Sequence, residues 1–204
     1  MKSRPAVGDP SGSGSPPPSG TIVADVTLTA IMPTLRASLP DPFDASRWPA
    51  RTTPTIGDVV ISAVSMVRIA ETVGTPCVHT AEQAAPRFRP PAWTPREVSV
   101  AVASVTRVRR PRTGIVLLEL DAVLPACAVL DEVRLIGRVT TAPTAETYVV
   151  TPCDGAADGP FHRLPAPVPT DVHEGDLLCF PCLAALRHRD VVEPVRAALG
   201  AEIR

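Results

Sequence analysis

The sequence predicts a mainly β fold, a single barrel-like or sandwich-like domain with one or two short helices and a disordered N-terminal tail. Three observations carry this. The 25 prolines are spread along all 204 residues; they disfavour long helices and favour short strands between rigid turns. Short runs rich in Val, Ile and Leu recur between Pro, Gly and Asp, the pattern of strands punctuated by turns. Apolar residues make up 45% of the chain but aromatics only 3%, so the core must be aliphatic. Six to eight short strands with Greek-key-like returns satisfy this pattern, and no fixed-period repeat is present.

Residues 1–20 are Pro, Gly and Ser with scattered charges. They bury too little apolar surface to offset the entropy of ordering and are expected to be disordered. The domain is then 21–204. Residues 21–32, TIVADVTLTAIM, are β-branched and read as a strand. Residues 33–55 hold five prolines and read as an irregular surface segment pinned by Phe43 and Trp48. Residues 59–61 form a short strand, after which Ser62 is positioned to cap a helix. Met66, Ile69, Ala70 and Val73 give that helix one apolar face, and Gly74 stands just past its end. Residues 75–80 are another brief strand. Residues 81–97 lose periodicity and read as a linker anchored by Trp93.

From Val98 the chain is strongly β. Val98, Val100 and Val102 alternate, and the phase then slips to Val105, which predicts a bulge. The basic run 107–112 makes a turn with Thr113 and Gly114; it is either a solvated hairpin end or a docking point for an acidic partner or a phosphate. Residues 115–120 form a continuous apolar run, as in a strand buried on both faces. Residues 133–139, 148–150 and 177–180 complete the strands. Residues 191–199 suit a terminal helix with Pro194 in its first turn.

Composition also excludes functions. A net charge of −1 gives no bulk attraction to nucleic acid or membrane. No apolar run approaches the roughly 20 residues of a membrane span, and the N-terminus has no secretory h-region, so a cytoplasmic location is expected. Five cysteines without disulfide spacing point to reduced thiols. Lys2 is the only lysine. A pyridoxal phosphate cofactor needs a buried lysine for its Schiff base, so no cofactor is expected on this chain alone.

The segment with most chemistry is 148–187. It reads as a strand, an acidic cysteine loop, a proline-paced connection and a second strand opened by Gly175 and Asp176. Cys153, Asp154 and Asp158 are the candidate catalytic residues. His162, Arg163 and Arg134 are the candidates for substrate binding. Cys153 with His162 or His173 also fits a thiol nucleophile and its base, whereas Asp154 and Asp158 beside Gly155 and Gly159 equally suit turns. Cys179 and Cys182 form a CxxC that, with His173 and His188, draws a four-ligand zinc site. A Cys179 pointing into the core is the competing reading.

Residues 64–82, VSMVRIAETVGTPCVHTAE, resemble the opening helix and strand of the diaminopimelate/ornithine decarboxylase family, through an apolar helix, Gly-Thr-Pro and a short strand. Residues 98–187 are similar to that family's C-terminal β-domain, with Cys153-Asp154-Gly155 and Gly175-Asp176-Leu177-Leu178 in matching order. The resemblance spans 57–80 and 98–187. Where the family carries a (β/α)8 barrel of roughly 250 residues, only the linker 81–97 stands here. It implies that Cys153 and Asp154 contact substrate and move a proton in a site completed by another subunit. Other family positions are not kept: they fall at Ala157, Leu186, Leu124, Leu117 and Leu118. The expectation is a subunit of a heteromeric biosynthetic enzyme. Its partner is a second protein and its substrate an amino-acid-derived small molecule. The alternatives are a non-catalytic docking or regulatory pseudoenzyme subunit, and a small cofactor-independent enzyme using Cys153 or a carboxylate.

Overall fold

Alternation along extended backbone sends successive side chains to opposite faces, and in this chain both faces are apolar over much of the sheet. The computed structural model describes residues 42–111, 115–145, 147–152 and 161–192. The fold is mainly β, with one sheet curled into a half-barrel. In chain order the elements are β1 (Thr52–Pro54), β2 (Val59–Ile61), β3 (Val64–Ser65), α1 (Met66–Val73), β4 (Cys77–Glu82), β5 (Glu97–Arg109), β6 (Val116–Leu120), β7 (Arg134–Ile136), β8 (Thr144–Ala145), β9 (Thr147–Pro152), β10 (Phe161–Pro165), β11 (Val168–Pro169) and β12 (Leu177–Cys182). The main sheet runs β10-β9-β6-β5-β12-β7, and β4 also pairs with β5. Small sheets β1-β2-β3 and β11-β8 flank it. The tail and the 21–32 strand expected from sequence lie outside the described residues, as does most of the terminal helix at 191–199.

The long strand β5 divides two cores. Cys77, Val102 and Cys179 are neighbours across β4, β5 and β12 and face a core with Trp48, Ile61, Met66 and Ala70. One residue along, Val78, Ala101 and Phe180 are neighbours and face a second core with Leu118, Val149 and Val168. Trp48 and Phe180 are almost wholly buried, and Phe43 packs beside Trp48, so both pin as expected. Trp93 does not join either core. Arg89 lies over its ring at 4.7 Å, and its N–H donates to Pro90 O at 3.0 Å, so it closes its own loop.

Two local expectations are corrected here. The slip from Val102 to Val105 is not the bulge: Val102 faces one core and Val105 the other. The bulge comes next, between Val105 and Arg107, opposite Leu120 and Glu119. Residues 115–120 are also not buried on both faces; Val116 and Leu118 are buried, while Leu117 and Glu119 are only half-buried.

Ser62 does not cap the helix. With φ of 49° and 70°, Ser62 and Ala63 form the two-residue turn between the paired Ile61 and Val64, where positive φ at both positions suits a tight hairpin. Ser65 is the cap, accepting from Arg68 N–H at 3.1 Å. Asp58 reinforces it: Oδ1 accepts from Val67 N–H at 3.1 Å and Oδ2 from Ser65 Oγ at 2.5 Å. Gly74 ends the helix at φ 81°, its N–H donating to Ala70 O at 2.9 Å. Met66 and Ala70 are buried, but Val73 is 68% exposed, so the apolar face of α1 meets the core only before its last residue.

Candidate functional site

The strands on either side of the acidic cysteine loop are described. Residues 147–150, Thr-Tyr-Val-Val, are all β-branched or aromatic, which suits a strand; Thr147 and Val149 are buried and Tyr148 and Val150 half-buried. β9 runs parallel to β6 and antiparallel to β10, with Pro152 opposite Phe161. Residues 153–160 therefore join the two ends of a hairpin at one edge of the main sheet. Cys153, Asp154 and Asp158 themselves lie outside the described residues.

His162 and Arg163 stand on β10 opposite Thr151 and Val150, so the hairpin keeps them next to the loop, and Arg163 is exposed. Arg134 is on β7, at the other end of the strand order. The sheet does not make it a strand neighbour of His162 and Arg163, although β10 curls back against Leu130–Glu132, the 3-10 turn just before β7. Arg134 donates to Pro42 O, lies 3.8 Å from Glu132 and stands 6.0 Å from the Phe43 ring. These contacts clasp the start of the described chain to β7.

The CxxC cannot gather one zinc ion. Cys179 and Cys182 are three apart in a strand, so they face opposite sides: Cys179 enters the core with Trp48 and Cys182 the core with Leu118. His173 is instead turned to Glu174 O at 3.0 Å and Asp176 at 3.4 Å. Among the described residues no three His, Cys, Asp or Glu side chains form a metal-ligand group. Burial pushes the thiols of Cys77, Cys179 and Cys182 up, for Cys77 with the nearby Asp121 charge acting in the same sense. They are packed hydrophobes rather than thiolates at neutral pH.

The basic run 107–112 is committed to the protein as far as it is described. Arg107 and Arg109 bracket Glu119 at 3.8 and 2.5 Å, and Arg110 donates to Thr170 O and Val172 O at 3.1 and 2.6 Å.

Sequence reasoning missed the strongest polar cluster. Asp176, 5% exposed, accepts two parallel bonds from Arg138 at 2.7 Å and one from His173 N–H at 2.9 Å. Arg138 also reaches Asp171 Oδ2 and O, both at 3.0 Å, and Thr140 Oγ1 donates to Asp171 at 2.7 Å. The hydrogen bond to Asp176 pushes the Arg138 guanidinium further up. For Asp171, burial acts to raise the carboxyl, but the bonds from Arg138 and Thr140 and the arginine charge outweigh it and hold it below its ordinary value. The signal was an aspartate after a turn glycine at a strand start; its arginine lies 38 positions away. Among the described residues no buried side-chain nitrogen or oxygen lacks a partner.

PLP does not fit the described residues, none of which is a lysine. No protein-family model matches the chain, and no curated protein matches it. Among solved structures, an arginine decarboxylase of Paramecium bursaria Chlorella virus is similar, with 18% identity over 47% of this chain and 28% of that chain, at a TM-score of 0.32. The present chain thus spans little more than a quarter of that protein's length.

Proposed function

We propose that this chain is one subunit of a heteromeric enzyme acting on an amino-acid-derived substrate, and that it lends the Cys153-Asp154 loop to a composite site. The observation that carries this reading is the hairpin. Pairing of Pro152 with Phe161 brings the strand ends that flank 153–160 together at the β10 end of the main sheet. The sequence resemblance gives the loop its chemistry: Asp154 as the proton carrier, Cys153 against the substrate, Asp158 beside them. His162 and Arg163 follow on β10, where a cationic side chain suits a substrate carboxylate. The single lysine at position 2 supports the second half of the reading, because any Schiff-base cofactor must be held by the partner.

A docking or regulatory subunit without catalysis is the second reading. The internal use of Arg107, Arg109, Arg110 and Asp176 favours it, since those groups support the fold and are not offered to a substrate.

The test is light scattering of the chain alone and with the product of its neighbouring gene. A stable heteromer is expected. Within it, Asp154→Asn or Cys153→Ser should lower turnover about a hundredfold or more, the usual loss of a proton-transfer group, and leave the mass unchanged. Unchanged turnover in both variants selects the docking subunit. A monomer or homodimer that ignores its neighbour defeats both readings.

A further inference from the structure

The loop between β4 and β5 gathers three exposed arginines in one short segment. Its ends are fixed: Glu82 faces Glu97, and Gln83 N–H donates to Arg96 O at 2.7 Å. Pro86, Pro90, Pro91 and Pro95 limit its conformations, and Trp93 braces it from within, through Pro90 O and the Arg89 guanidinium. At its tip Phe88 is 86% exposed between the exposed Arg87 and Arg89, with Arg96 exposed at the return. Arg47, Arg107, Arg109 and Arg138 each have a carboxylate partner. Arg87, Arg89 and Arg96 have none among the described residues.

A braced loop that presents an aromatic ring between two guanidinium groups without carboxylate partners has the composition of an interface hot spot, already ordered before contact. We infer that loop 83–96 is a docking element for a protein surface that offers an apolar pocket ringed by carboxylates. Phe88 fills the pocket, and Arg87 and Arg89 take the carboxylates. Glu82 and Glu97 at the loop base would repel a continuous phosphate backbone, and the whole chain carries −1, so a protein with discrete acidic groups is favoured over nucleic acid. This deepens the subunit reading by naming the surface through which the chain meets its partner.

The probe is a fluorescein-labelled peptide of repeated Glu-Glu-Leu, with Gln-Gln-Leu as its neutral analogue, read by anisotropy at low salt against the full chain. The Glu peptide should bind, and the triple variant R87E/R89E/R96E should lose about tenfold or more in affinity. Phe88→Ala should lose severalfold, and Arg107→Glu, ten residues along β5 from the loop base, should lose nothing. Because all these side chains are exposed, circular dichroism should match the parent. Equal binding of the Gln peptide, unchanged binding by the triple variant, or binding of oligothymidylate in place of the peptide would overturn the proposal. A complex with the neighbouring gene product that survives the triple variant rejects this surface and leaves the subunit reading intact. The absence of that complex, with peptide binding still dependent on the loop, rejects the subunit reading and leaves the surface.

Discussion

The centre of the main sheet and its β6-β9-β10 wing are built from the same aliphatic residues but are buried differently. In β12 and over residues 98–105 of β5 the side chains of both faces are buried, one set against α1 and Trp48, the other within the half-barrel. In β6 and β9 one face is buried and the other half-exposed, and on β10 the residues from Arg163 to Pro165 are exposed. A strand clamped on two faces has little freedom to move, whereas one clamped on a single face can adjust. The candidate loop joins β9 to β10, strands of the second kind.

Truncation in the centre tests this most strongly. Phe180→Ala should cost about 3–5 kcal/mol, as for buried aromatics, measured by the urea midpoint. Leu164→Ala on the wing, where 37% of the residue is exposed, should cost about 1 kcal/mol or less. Equal losses would mean that the wing is as firmly clamped as the centre.

Arg138→Met comes next. It keeps the apolar stem and removes the charge, leaving the buried Asp176 with the His173 backbone donor and the exposed His173 ring at 3.4 Å, at a cost of about 3 kcal/mol. Adding Asp176→Asn should recover part of this loss. If the single variant unfolds at the parental midpoint, the cluster is ornamental and the strand start is held by packing alone.

The smallest effect is a pH dependence at His79 on β4. Burial holds its imidazole below the ordinary value of about 6.5. The unfolded chain therefore takes up a proton before the folded chain does, and stability falls as pH drops through that range. His79→Gln should flatten the melting temperature between pH 7 and pH 5. An unchanged slope would assign the acid sensitivity elsewhere.

The fold was legible in the strand pattern, in Gly74 after the helix and in the aromatic pins Phe43 and Trp48. What the sequence hid were relations across distance. Val102 and Val105 look like one stripe out of phase, and only the pairing of β4, β5 and β12 reveals two stripes facing two cores. Cys179 and Cys182 look like ligands because the CxxC spacing is familiar from loops, and a strand turns them apart. Arg138 and Asp176 look like ordinary surface charges until the sheet brings them together. The acidic loop is read from its residue types, and β9 and β10 add the pairing of the strands on either side of it.

The opposite facing of Cys179 and Cys182 gives the protein two native reporters, one in each core. A thiol reagent reaches a fully buried sulfur only when the surrounding packing opens. Cys179 thus times the opening of the layer beneath α1, and Cys182 the opening of the half-barrel. Their modification rates, read separately by mass spectrometry, would show whether the two cores open as one cooperative unit or as two.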